Sequence, residues 1–109
     1  MNLTEIDDGV FTCGQITEDF VDELAKAGFK TIICNRPDNE EENQPVFSTI
    51  EKAAKAHGLD SYYIPVTPPH ITSHNVDEMK RVLNKCEYPV LAYCKSGHRA
   101  ETLYHLAKN

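Results

Sequence analysis

Four short runs rich in β-branched and aromatic residues, GVFTCG, KTIICN, DSYYIPV and YPVLAYC, alternate along the 109-residue chain with segments of helical spacing. TEDFVDELAKAGF sets Phe20, Val21, Leu24 and Ala27 on one side, with Thr17 at the N-cap, Glu18 and Asp19 at the positive end of the dipole and Gly28 at the stop. VFSTIEKAAKAHG repeats the pattern through Val46, Phe47, Ile50, Ala53, Ala54 and Ala56 and ends at Gly58. NVDEMKRVLNKC does so through Val76, Met79, Val82 and Leu83, and HRAETLYHLAK forms the last helix. Strands that return through helices pair in parallel, and the continuous apolar run TIIC suits a strand buried on both faces. The expectation is therefore an α/β fold: a three-layer α/β/α arrangement with a mainly parallel four-stranded sheet flanked by helices. At 109 residues the chain has room for one core, so residues 1–109 read as one domain.

Composition narrows the function. With 40% apolar and 26% charged residues the chain has the profile of a soluble globular protein. Its formal charge of −6 argues against a nucleic-acid partner, because that affinity rests on many lysines and arginines. No stretch approaches the roughly 20 apolar residues of a membrane span, and MNLTEIDDG is acidic where a secretory signal would be basic, so a cytoplasmic location without membrane contact is expected. RPDNEEENQP is too polar for core and reads as an exposed loop. Its DNEEEN stretch reads as solvated, with recognition of a basic partner as the alternative.

Cys13, Cys34, Cys86 and Cys94 form no C-x-x-C pair, which speaks against structural disulfides and a zinc knuckle. His70 and His74 are four apart, a metal-binding spacing on a helix, but TPPHITSH reads as a loop and no metal site or other cofactor is expected. His57 and His105 read as ordinary helix residues.

The chemistry concentrates at the joint LAYCKSGHRAETLYHLAK. In open α/β sheets ligands bind beyond the carboxyl ends of the strands, and Cys13, Cys34 and Cys94 fall near such ends, whereas Cys86 closes a helix. Cys94 is followed by backbone N–H groups, the start of a helix and a guanidinium, all of which favour thiolate and predict a depressed thiol pKa. Gly97 gives the loop freedom to turn its N–H groups inward, and Arg99 can grip an oxyanion through two parallel hydrogen bonds. Cys94 and Arg99 are thus the candidate catalytic pair, with Lys95, Ser96, Gly97 and His98 joining Arg99 around a small anion. Free cysteine is commonly just core, the reading taken for Cys34 and Cys86. Cys13 and Cys34, near the same sheet edge, are also candidates for a resolving thiol.

CKSGHR fits the C-x-x-G-x-R loop of rhodanese-type sulfurtransferases and is one residue shorter than the C-x-x-x-x-x-R loop of cysteine-dependent phosphatases. Across nearly the whole chain, CGQITEDFVDELAKAGFKTIICNRPDNEE, YYIPV and PVLAYCKSGHRAETLYHLA resemble the bacterial beta-lactamase hydrolase-like, phosphatase-like domain family (DUF442). The resemblance implies a dual-specificity-phosphatase-like fold. It also implies a link to persulfide metabolism, since some members are fused to metallo-β-lactamase-like persulfide dioxygenases, making such an enzyme a candidate partner.

Phosphatases of this type usually draw an acid, an Asp, from the loop after the strand preceding the penultimate helix. Here that loop, TPPHITSHN at 67–75, has no carboxylate, which leaves His70, His74, Asp38 or Asp77 as substitutes. Sulfur transfer tolerates the missing acid, because sulfite and thiolates leave without protonation. The expected function is a sulfurtransferase forming a Cys94 persulfide from a small anion such as thiosulfate or a persulfide. The alternatives are hydrolysis of a phosphate ester through a cysteinyl-phosphate, and a non-catalytic anion-binding or thiol redox-sensing module.

Overall fold

A computed structural model describes residues 2–108. The strands are β1 (Thr4–Asp7), β2 (Val10–Cys13), β3 (Thr31–Cys34), β4 (Asp60–Tyr63) and β5 (Val90–Tyr93). The helices are α1 (Glu18–Lys26), α2 (Phe47–Ala56), α3 (Ser73–Lys85) and α4 (His98–Lys108). One five-stranded sheet has the order β1-β2-β5-β3-β4. All pairings are parallel except β1 with β2, which is antiparallel. The α/β expectation holds, with one strand added. β1, TEID, is short, polar and half exposed, so it carries none of the apolar periodicity that marks the other four.

The sheet is covered on both faces. Val10, Ile33, Val90, Ala92 and Cys94 pack with Met79 and Val82 of α3 and with Ala100, Leu103, Tyr104 and Ala107 of α4. Ile32, Cys34, Leu91 and Tyr93 pack with Val21 and Leu24 of α1 and with Ile50 and Ala54 of α2. Strand alternation produces this division, since Ala92 and Leu91 point to opposite faces.

Helix ends differ in detail from expectation. Thr17 occupies the N-cap of α1 without a side-chain cap bond. α3 begins earlier than the spacing of Val76, Met79 and Val82 indicates. Thr72 Oγ1 accepts the Asn75 N–H at 3.1 Å and Asn75 Oδ1 accepts the Thr72 N–H at 3.0 Å, a reciprocal box that starts the helix at Ser73. Asn75 Nδ2 also donates to the Pro65 carbonyl at 3.1 Å, fastening α3 to the segment leaving β4.

Candidate active site

β5 is the central strand, and its carboxyl end delivers Cys94, fully buried, into the turn before α4. The Gly97 N–H donates to Cys94 Sγ at 3.0 Å, and the Cys94 N–H donates to the Cys13 carbonyl at 3.3 Å. Gly97 has φ of +98°, a left-handed conformation that turns its amide toward the sulfur. The neighbouring strand accommodates the loop closely. A Cβ on Gly14 would lie 2.8 Å from the Lys95 carbonyl oxygen, so the position after Cys13 needs glycine for the loop to sit where it does.

Arg99, in the first turn of α4, points to the loop after β3. Its Nη1 and Nη2 donate to the two carboxylate oxygens of Glu40 at 2.9 Å each, and Nη1 also donates to the Val66 carbonyl at 2.9 Å. Arg36, only 2% exposed, donates from Nε to Glu40 Oε1 at 2.8 Å, from Nη1 to Gln15 Oε1 at 3.1 Å and from Nη2 to Glu41 Oε1 at 2.5 Å. Lys95 Nζ lies 3.8 Å from the same Glu41 oxygen. The Arg99 hydrogen bonds, and then those of Arg36, hold the Glu40 carboxyl below its ordinary range.

The acidic stretch is therefore not simply solvated, as its composition suggested. Glu40 and Glu41 fold back over the Cys94 loop, and Arg36 sits in the core beneath them. Charge composition gave no sign of this. The one available signal was an arginine immediately after the buried run TIICN, where the chain has not yet reached the surface.

Other candidates separate into those the fold brings to the loop and those it does not. Ser96 and His98 lie beside Lys95 and Gly97 in a polar cleft shared with Thr4, Thr12 and Glu101. Asp38 Oδ1 accepts the Phe47 N–H at 2.8 Å, and the Asp38 N–H donates to Tyr63 Oη at 2.9 Å, so this side chain holds the start of α2. His70 is exposed in the turn after β4, while exposed His74 pairs with Glu78 at 3.1 Å and Asp77 is exposed on α3.

Cys13 and Cys34, the candidates for a resolving thiol, lie one strand away from Cys94 on either side. Both are in register with Tyr93 across the sheet, and paired residues share a face. They pack with α1 and α2, while Cys94 packs with α3 and α4. Burial, and secondarily the neighbouring Cys94, pushes the Cys13 thiol up to about 12, and burial pushes Cys34 up to about 11. All four cysteines are free.

A turn between a central parallel strand and a helix, with a buried cysteine at its start and an arginine in the helix's first turn, places the molecule among proteins of the cysteine-phosphatase-like fold. The family model "Beta-lactamase hydrolase-like protein, phosphatase-like domain" matches residues 3–109, and the chain belongs to that family. A beta-lactamase hydrolase-like protein of Agrobacterium fabrum is 44% identical over 85 residues, covering 78% of this chain and 20% of that protein. The chain thus spans about a fifth of that relative's length. Among solved structures, a phosphatase candidate from Neisseria meningitidis is 39% identical with a TM-score of 0.84, over 92% of this chain and 71% of the other. The catalytic core of the Saccharomyces cerevisiae phosphatase Siw14, solved with citrate, shares the fold at 20% identity and a TM-score of 0.71, over 95% of this chain and 62% of the other. Among the described residues no helix is long and apolar enough to cross a membrane.

Proposed function

We propose that the domain is a cysteine-dependent sulfurtransferase in which Cys94 carries sulfane sulfur as a persulfide. In this reading the Cys94 thiolate attacks the outer sulfur of thiosulfate, the S–S bond to the sulfonate breaks, and sulfite leaves with the electron pair. An acceptor thiolate then attacks the outer sulfur of the persulfide and regenerates Cys94. The Gly97 N–H, 3.0 Å from Sγ, favours the anionic sulfur throughout. An incoming anion would take the place of the Glu40 carboxylate on Arg99, with Lys95, Ser96 and His98 around it.

The observation that carries this reading is the engagement of Asp38 and Glu40 with other partners and the lack of a carboxylate in the β4–α3 loop. Asp38 holds the start of α2, Glu40 is gripped by Arg99 and Arg36, and residues 67–72, part of which walls the cleft beside Arg99, contain no carboxylate. Departure of an alkoxide needs a proton, an assistance typically worth about 10²–10⁴ in rate, whereas departure of sulfite does not. The six-residue loop from Cys94 to Arg99 agrees.

The second reading, phosphate-ester hydrolysis through a cysteinyl-phosphate, is favoured by the fold. Pseudomonas aeruginosa TpbA, solved with phosphotyrosine, shares that fold at 18% identity and a TM-score of 0.62. A persulfide dioxygenase, as fused domain or separate partner, would consume the product of the sulfur reaction.

Intact-mass measurement separates the two. Incubation with thiosulfate should add one sulfur atom, about 32 Da, to the wild type and nothing to Cys94→Ser. Release of the phenol from an aryl phosphate, lost in Cys94→Ser and without a sulfur adduct, would establish the hydrolase instead.

A further inference from the structure

Two clefts flank the start of α4, and they differ in chemistry. The one toward β1 and β2 is polar, lined by Thr4, Thr12, Ser96, His98 and Glu101 among others. The one toward the β4–α3 loop, about 260 Å³, is walled by Val66, Pro68, Pro69 and Ile71 and bounded on the helix side by His98, Arg99 and Thr102. Its apolar wall meets a cation directly, because Arg99 Nη1 donates to the Val66 carbonyl at 2.9 Å. Proline lacks an N–H, so Pro68 and Pro69 offer apolar surface and no backbone donor to a polar ligand. Val66 and Ile71 of its wall belong to the same apolar cluster as Cys94, on the α3 and α4 face of the sheet.

We propose that this cleft binds the uncharged apolar body, an aryl ring or a branched alkyl group, of a substrate whose anionic end is placed between Cys94 and Arg99. The preferred donors are then organic anions such as thiosulfonates rather than inorganic thiosulfate. Inorganic thiosulfate would leave the wall of Val66, Pro68, Pro69 and Ile71 in contact with water. An aryl group removes that surface from water while its charge stays at the guanidinium. The volume suits one ring and is below that of sites for drug-sized ligands. This inference rests on the sulfur-transfer reading for its chemistry and on the cleft alone for its specificity. With benzenethiosulfonate, the Cys94 thiolate takes the terminal sulfur, the S–S bond to the sulfonyl sulfur breaks, and benzenesulfinate departs with the electron pair, leaving the Cys94 persulfide anion.

The test compares benzenethiosulfonate with thiosulfate by the rate of the sulfur adduct on the intact protein, relative to a small free thiol that corrects for intrinsic donor reactivity. In parallel, benzenesulfonate and sulfate are compared as protectants of Cys94 against alkylation, which reads binding without turnover. A corrected preference for the aryl donor of at least about 10-fold is expected, with protection by benzenesulfonate at concentrations where sulfate gives none. Thr102→Phe, a change at an exposed helix position, fills the cleft and should bring the donor ratio toward one. Equal corrected rates with equal protection, or an aryl preference that survives Thr102→Phe, overturns the cleft and leaves sulfur transfer standing. Selective protection without any sulfur adduct supports the cleft while overturning sulfur transfer, and the absence of both adduct and protection overturns both.

Discussion

The two faces of the sheet give the same residue type different surroundings. On the α1 and α2 face, Cys13 and Cys34 sit among Leu91, Tyr93 and Ile32, and burial drives their thiols up to about 12 and about 11. On the α3 and α4 face, Cys94 is just as dehydrated, yet its sulfur receives the Gly97 N–H and faces the start of α4. Burial alone produces an inert thiol. What distinguishes Cys94 is one position of strand parity and the glycine three residues later.

That contrast is sharpest in the covalent chemistry. Cys94→Ser should abolish the sulfur adduct, whereas Cys13→Ala and Cys34→Ala should retain it, as intact masses would record. Loss of the adduct in Cys34→Ala with the fold intact by circular dichroism would break the comparison. The next largest effect is in alkylation. At about pH 8 a thiol of pKa near 12 is ionised to only about 10⁻⁴. Partly exposed Cys13 should therefore resist iodoacetamide in Cys94→Ser, with a rate that climbs with pH well beyond that of an ordinary cysteine.

A smaller effect is expected where one face supports the other. Gly14→Ala would press a methyl group to within 2.8 Å of the Lys95 carbonyl oxygen, and a shift of this kind costs about 1–3 kcal/mol. Urea unfolding would measure the loss, and adduct formation should slow in the folded fraction as the Cys94 loop is displaced.

The smallest effect concerns Glu40. Glu40→Gln leaves Arg99 and the buried Arg36 without their shared carboxylate, a loss of about 1–2 kcal/mol at neutral pH. Arg99 chiefly, with Arg36, lowers the folded pKa of Glu40 below its unfolded value of roughly 4.3. The stabilisation is therefore full above the unfolded value and disappears as pH falls through the folded one. Urea midpoints of wild type and variant should differ at pH 7 and converge in acid. A constant gap would show that the carboxylate charge is not what matters.

The helices, the parallel sheet and the Cys94 loop were legible because each follows from local pattern: apolar runs of strand length, amphipathic spacing between them, and glycine and arginine at fixed distances from a strand-ending cysteine. The partner of Arg99 was not. Glu40 and Arg99 are 59 residues apart and meet only because β3 lies beside β5. A cluster of acidic residues looks solvated until the neighbouring strand is known. Register was equally hidden: which of Cys13, Cys34 and Cys94 share a face depends on pairing both outer thiols with Tyr93. The edge strand β1 escaped because polar Thr4 and Glu5 pair with β2 without contributing an apolar signal.

β1 has one further consequence. Asp7, at its end, accepts hydrogen bonds from Tyr104 Oη at 2.6 Å and from Lys108 Nζ, at the far end of α4. The same helix is held at its other end through Arg99 and Glu40. α4 is in effect a beam clamped at both supports, so it resists sliding or tilting when a ligand presses on its first turn. Breathing room at the enclosed sulfur is then to be sought in the segments around α4 rather than in the beam.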